Sequence, residues 1–254
     1  MPVATRPLPF PLPPDHLRLG VGDPDGEFYR VGEDIVARVK REAGLNPASR
    51  VLDIGCGLGR VAYPLARELG PHGSYDGFDA MPQYIEWCDH GLALDPQRVR
   101  FHWFDIYNSV YNPTGTIDGE QLVFPWPDGA FTLAIATSLF THLSAVGTEN
   151  YLREIARTLE RGGRVFASFF VLDNESREIM ARRETYPNFT HAIEQGRVAD
   201  PDSPDVAIAF NAEWLHQVFL SCGFVIEVYR QGRWRDFSEK KEELYQDLVV
   251  ARKE

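Results

Sequence analysis

Val51-Leu52-Asp53-Ile54-Gly55-Cys56-Gly57-Leu58-Gly59-Arg60 is an apolar run that reaches an acid and then places glycine at every second position. The first half has the length and composition of a buried strand. The glycines let the chain turn tightly and bring bare backbone against a ligand, at the start of a helix whose first N–H groups are free. A dinucleotide fingerprint needs glycine or alanine three positions after Gly57, and Arg60 stands there. An acid two residues before the first glycine also suits a cationic group better than a pyrophosphate.

Outward from this stretch, short β-branched runs alternate with helical patterns. The strands are expected at 50–54, 74–79, 98–104, 131–137, 163–171, 224–229 and 244–251, and the helices at 58–69, 82–92, 147–159 and 212–221. A further amphipathic helix, with Phe28, Val31, Ile35, Val36 and Val39 at helical spacing, precedes the first strand. This order predicts an α/β domain over 27–254, with a mostly parallel sheet covered by helices on both faces. Residues 1–26 are rich in proline and glycine and are expected to form an extended arm. Two connections exceed the usual length, 106–130 and 172–210, and the second is expected to be a cap over a site.

The glycine segment resembles motif I of the class I S-adenosylmethionine (SAM)-dependent methyltransferases, (D/E)-x-G-x-G-x-G, and the resemblance runs in register to the C-terminus. It implies a seven-stranded, doubly wound Rossmann-like sheet of order 3-2-1-4-5-7-6 with the last strand antiparallel. It also implies SAM as cofactor and S-adenosylhomocysteine as product. The SAM ammonium would meet Asp53 beside Gly55, Gly57 and Gly59. Asp79, at the end of the second strand, would accept from both ribose hydroxyls, since one carboxylate offers two acceptors to a vicinal diol. Asp105, at the end of the third strand, would accept from the adenine amino group while the Ile106 N–H meets the ring. Ala80 and Met81 would give the adenine apolar contact, with Thr137 after the fourth strand and Tyr29 closing over the methionine part. Tyr29 has core packing as its alternative.

Methyl transfer to a hydroxyl needs a base near the ends of the fourth and fifth strands. His142 is the candidate, with packing under the cap as the alternative reading. Asp173 could orient it, or could cap the helix that follows. Tyr186 and His191 lie in the expected cap. Arg177, Arg182 and Arg183 read first as a solvated helix face. The expected acceptor is a small hydroxylated metabolite, sugar-like or a natural product. N- or C-methylation, a non-catalytic SAM-binding module and an NAD(P)-dependent oxidoreductase are the alternatives.

Composition narrows the classes. Net charge is −11, with 26 Lys+Arg against 37 Asp+Glu, which disfavours nucleic acid and anionic membranes as partners. The 3 cysteines have no metal-ligand spacing, and Thr137 and Ser138 stand where an acidic ligand would follow the fourth strand, although Asp173 and Asn174 follow the fifth, so no metal is expected. No signal sequence or 20-residue apolar run is apparent, which places the expectation in the cytoplasm. A homodimer stays open.

Overall fold

A computed structural model describes residues 12–21, 27–182, 185–235 and 244–254. Its helices are α1 (Asp15–Arg18), α2 (Phe28–Ala43), α3 (Ala62–Ala66), α4 (Pro82–Gly91), α5 (Ala145–Thr158), α6 (Asn174–Arg182) and α7 (Ala212–Ser221). Its strands are β1 (Arg50–Ile54), β2 (Ser74–Asp79), β3 (Val99–Trp103), β4 (Phe131–Ala136), β5 (Leu159–Leu172), β6 (His191–Ile193), β7 (Gly196–Val198), β8 (Ile208–Asn211), β9 (Phe224–Arg230) and β10 (Asp247–Lys253).

The strands alternate their side chains between two apolar layers, as period-2 geometry requires. Val51, Leu133, Ile135, Phe166, Leu248 and Val250 pack with Ile35, Val36 and Val39 of α2 and Leu65 of α3. Leu52, Ile54, Ala134, Ala136, Val165, Ala167, Val249 and Ala251 pack on the other face with Leu152 and Ile155 of α5 and Val218 and Phe219 of α7. Burial on both faces explains why these strands read as near-continuous apolar runs.

Parallel strands run in the order β3-β2-β1-β4-β5. Next to β5 comes the antiparallel β10, with β9 antiparallel on its far side. The expected 3-2-1-4-5-7-6 order is therefore present, but the sheet has ten strands rather than seven. The three additional strands come from the 172–210 insertion. There β6 and β7 form a hairpin, β7 pairs with β8, and β8 lies parallel to the end of β5. This insertion thus adds strands to the sheet, while its Tyr186 and its turn at Pro204–Val206 reach the site described below.

Two other expectations need correction. The helix expected at 58–69 is confined to Ala62–Ala66. Gly55, Gly57 and Gly59 all have positive φ, 72°, 54° and 72°, so turn conformation continues past the glycines. At Gly59 a Cβ would lie 2.4 Å from Leu92 Cδ1, so a side chain would push α4 away. The described part of the leading arm is helical rather than extended, at Asp15–Arg18 and Leu19–Val21. Leu12, Leu17 and Val21 pack beside Phe28, Tyr29, Tyr63 and Tyr84. The remainder of that arm, 1–11 and 22–26, and Arg183 lie outside the described residues. No helix among the described residues is long and apolar enough to cross a membrane.

Candidate active site

The ends of β1, β2 and β4 open into a cavity of about 730 Å³. Asp53, Gly55, Gly57, Asp79, Ala80, Ile106, Thr137 and His142 line it, so eight of the residues singled out in the sequence meet in one space. Gly20 and Val21 of the leading arm also line it, with Val21 Cγ1 3.4 Å from where a Gly57 Cβ would stand.

At the end of β1, Asp53 is 1% exposed, and its one side-chain hydrogen bond among the described residues is a 2.6 Å contact from the Tyr75 hydroxyl. Burial pushes its carboxyl up to about 7, and the neighbouring Asp79 charge adds to the rise against the opposing effects of Tyr75 and Arg60. A buried carboxylate without a contacting cation is a seat for one. Asp79 is knitted into the glycine loop: Oδ2 accepts from the Gly57 N–H at 2.8 Å and Oδ1 from the Met81 N–H at 3.0 Å. Burial raises its pKa against these bonds.

Five candidates are not on the cavity wall. Asp105 turns into its own loop, where Oδ2 accepts from Thr116 N (3.2 Å) and Oγ1 (2.8 Å) and Oδ1 from Asn112 Nδ2 (3.1 Å). Those bonds hold its pKa below the carboxylate norm and turn the carboxylate toward Thr116 and Asn112. Tyr29 is core, its ring centroid 5.2 Å from that of Tyr63 and 5.3 Å from that of Phe28. Met81 caps the start of α4 and packs with the same cluster, and Gly59 serves the turn. Asp173 at the end of β5 accepts a bidentate pair of 2.7 Å bonds from Arg235 Nη1 and a 2.8 Å bond from Ser176 N. Burial alone would raise its pKa, but Arg235 and Ser176 hold it low. It is a helix cap and ion-pair partner, not an orienter of His142.

The imidazole of His142 lies on the tight turn Phe140–His142 after β4. Its Nδ1 is 2.8 Å from the Asp205 carbonyl oxygen, which can only accept, so the proton sits on Nδ1 and Nε2 is left as the acceptor. The Tyr111 hydroxyl reaches Nε2 at 3.3 Å. Burial lowers the His142 pKa against the pull of the Asp205 carbonyl, so the ring is neutral at pH 7.

Tyr111 and Asp205 were invisible to sequence reasoning. Tyr111 belongs to the aperiodic 106–130 loop, where Asn108 Oδ1 accepts from Val110 N and Tyr111 N and Asn108 Nδ2 donates to the His142 carbonyl at 3.2 Å. Asp205 acts through its backbone, which leaves no side-chain signature, while its carboxylate accepts from Ser109 Oγ at 2.7 Å. The Asn-containing turn was the one available hint.

Of the other cap candidates, Tyr186 lines the cavity and His191 sits on an exposed strand bonded to Thr190. Arg177 donates to Asn211 and Arg182 pairs with Glu178, as on a solvated face.

With this geometry in view, the likeness to known proteins is informative. Residues 51–163 match the family model described as a methyltransferase domain. The chain is 27% identical over 184 residues to the 23S rRNA (uracil(1939)-C(5))-methyltransferase of Alkalilimnicola ehrlichii, an alignment covering 68% of this chain and 40% of that protein. It spans between 27% and 40% of the length of the curated relatives it matches. Its fold is shared with an S-adenosylmethionine-dependent methyltransferase from Mesorhizobium loti (TM-score 0.59, 15% identity, 87% of this chain and 98% of that one). The magnesium protoporphyrin IX methyltransferase of Synechocystis, crystallised with bound S-adenosylhomocysteine, is also similar (TM-score 0.53, 16% identity, 90% of this chain and 86% of that one). The glycine loop, the acids behind it and the match over residues 51–163 make this chain similar to the S-adenosylmethionine-dependent methyltransferases, whose class I fold it shares.

Proposed function

We propose that the chain transfers the SAM methyl group to a hydroxyl of a small acceptor, with His142 as general base. The observation that carries this reading is a half-buried, neutral imidazole whose acceptor nitrogen, Nε2, is set by its Nδ1–H bond to Asp205. It shares one cavity with Asp53 and Asp79.

The residues present suit the cofactor. Asp53 offers an unpaired carboxylate to an ammonium, Asp79 has lone pairs left for a diol, and Ile106 and Ala80 give apolar surface for a purine. SAM bound there supplies an electrophilic methyl group on a sulfonium. The protein's own work is then to align the acceptor, exclude water and take one proton.

The Tyr111–Nε2 contact of 3.3 Å is long for an O–H donor, so an acceptor hydroxyl can exchange with it at little cost. Nε2 then receives the acceptor proton. The Asp205 carbonyl stabilises the resulting imidazolium through Nδ1–H, and the Tyr111 oxygen can accept from Nε2–H.

The rRNA-modifying relative suggests RNA as another acceptor class. A net charge of −11 opposes a phosphate backbone, and a small acceptor is favoured. The test is methyl transfer from methyl-labelled SAM to a panel of hydroxylated metabolites by wild type and His142→Ala. The proposal expects product with wild type and turnover lower by ~10²–10⁴ in the variant. Full activity in His142→Ala would reduce the residue to packing.

A further inference from the structure

The cavity is electrically lopsided. Among its described lining residues the only acids are Asp53 and Asp79, both at the ends of β1 and β2. The opposite side is built on the ends of β4 and β5 and the segment before β10. There Ser138 N donates to Ser168 Oγ at 2.8 Å, and Gln246 Oε1 accepts from Ser168 Oγ at 2.6 Å and Ser138 Oγ at 3.2 Å. That side bears hydroxyls, an amide, tyrosines and the exposed cation Arg233, while the other cation on the wall, Arg60, lies by the glycine loop and acts on Asp53.

Arg233 is held by its backbone, not by an acid. Its N–H donates to the Leu244 carbonyl at 3.1 Å, and the next residue, Trp234, donates to Tyr245 at 2.9 Å. Trp234 itself is fully buried, anchored through Nε1 to Asp247 at 2.8 Å. The Arg233 guanidinium has no carboxylate partner among the described residues, whereas its neighbour Arg235 is paired with both Asp173 and Asp247. Tyr245, whose hydroxyl bonds the Tyr186 carbonyl, lies near enough to feel the Arg233 charge. An arginine that has no carboxylate partner among the described residues, on a braced backbone at a cavity edge, can meet an anion there. This matters more in a chain of net charge −11, whose overall field repels anions unless a local cation overrides it.

We infer that the acceptor carries a carboxylate or phosphate, seated by Arg233, on a flat body that lies between Tyr111 and the Tyr186–Tyr245 side. This rests on the methyl-transfer reading above. The anionic end and the hydroxyl near His142 then fix the acceptor at two points, which sets which hydroxyl meets the base.

Two measurements test it. In the first, S-adenosylhomocysteine-loaded protein is titrated with 4-hydroxybenzoate, its methyl ester and phenyl phosphate. The acid or the phosphate should bind roughly 10-fold or more tightly than the ester, the scale of a charge-assisted bond. Which anion binds better tells carboxylate from phosphate. Arg233→Gln should bring the anions down to the level of the ester while SAM affinity is retained. In the second, added salt should weaken the anions and spare the ester in wild type, a comparison that needs no variant. An ester that binds as well as both anions overturns the inference. So does a preference that survives Arg233→Gln, and a fall in SAM affinity in that variant would assign Arg233 to the cofactor's carboxylate instead. Because these are binding measurements, absence of turnover on every hydroxyl acceptor would sink the methyl-transfer reading and leave the anion seat standing.

Discussion

At Asp53 a carboxyl is buried with one hydroxyl for company and has its pKa near 7. An ammonium beside it favours the ionised form, so binding of SAM below pH 7 must expel a proton. Affinity should therefore fall as pH is lowered through 7, by up to about tenfold per unit, and level off above it. Calorimetry at pH 6, 7 and 8 reads this directly, and a flat profile would remove Asp53 from the ammonium site. His142 gives a second pH signature. Its lowered pKa keeps the base form populated down to pH values below the ordinary ~6.5, so the acid limb of kcat should lie below that value. A limb above it would mean another group titrates. Both residues were legible in the sequence, because a strand end and a glycine loop restrict where an acid or a base can sit. Asp105 was misplaced for the converse reason. It shares the strand-end position of Asp79, but Thr116 and Asn112 in the following loop capture its carboxylate, and an aperiodic loop gives no advance sign of that.

Among the elements, the end of β5 carries an ion network with no part in the chemistry. Arg235, 4% exposed, bridges Asp173 and the fully buried Asp247. Asp247 also accepts from Val171 N, Gly232 N and Trp234 Nε1, and burial still pushes its pKa up to about 6. Arg235→Met strands two carboxylates and should cost about 3–5 kcal/mol in urea-induced unfolding. Asp173→Asn should destabilise as well but leave methyl transfer per folded molecule within a few-fold of wild type. A loss comparable to that of His142→Ala would restore a catalytic role to Asp173. The central strands β1, β4 and β5 were legible because burial on both faces writes them as apolar runs, while the half-exposed edge strands β3 and β9 showed through their β-branched and aromatic residues. The added strands β6, β7 and β8 have three or four residues each, too few for a period to show, and His191–Ile193 is exposed throughout. The insertion therefore read as a cap alone, although its three short strands widen the sheet while Tyr186 and the Asp205 turn reach the cavity.

Across the whole molecule, the arrangement separates two tasks within one cavity. On the function proposed above, Asp53 and Asp79 on one side, at the ends of β1 and β2, would receive the cationic cofactor, and His142, Tyr111 and Arg233 on the other would face the acceptor. The leading arm closes the first side through Gly20 and Val21, and the Pro204–Val206 turn braces the second through Asp205. This division predicts that cofactor binding and proton transfer can be lost independently. The most direct measurement is calorimetric titration of SAM into wild type, Asp79→Ala and His142→Ala. The account predicts one saturable site per chain in wild type. It predicts affinity weakened by roughly 1.5–3 kcal/mol in Asp79→Ala, the scale of hydrogen bonds to a charged group, and unchanged affinity in His142→Ala. No saturable binding to wild type, or undiminished binding to Asp79→Ala, would contradict it.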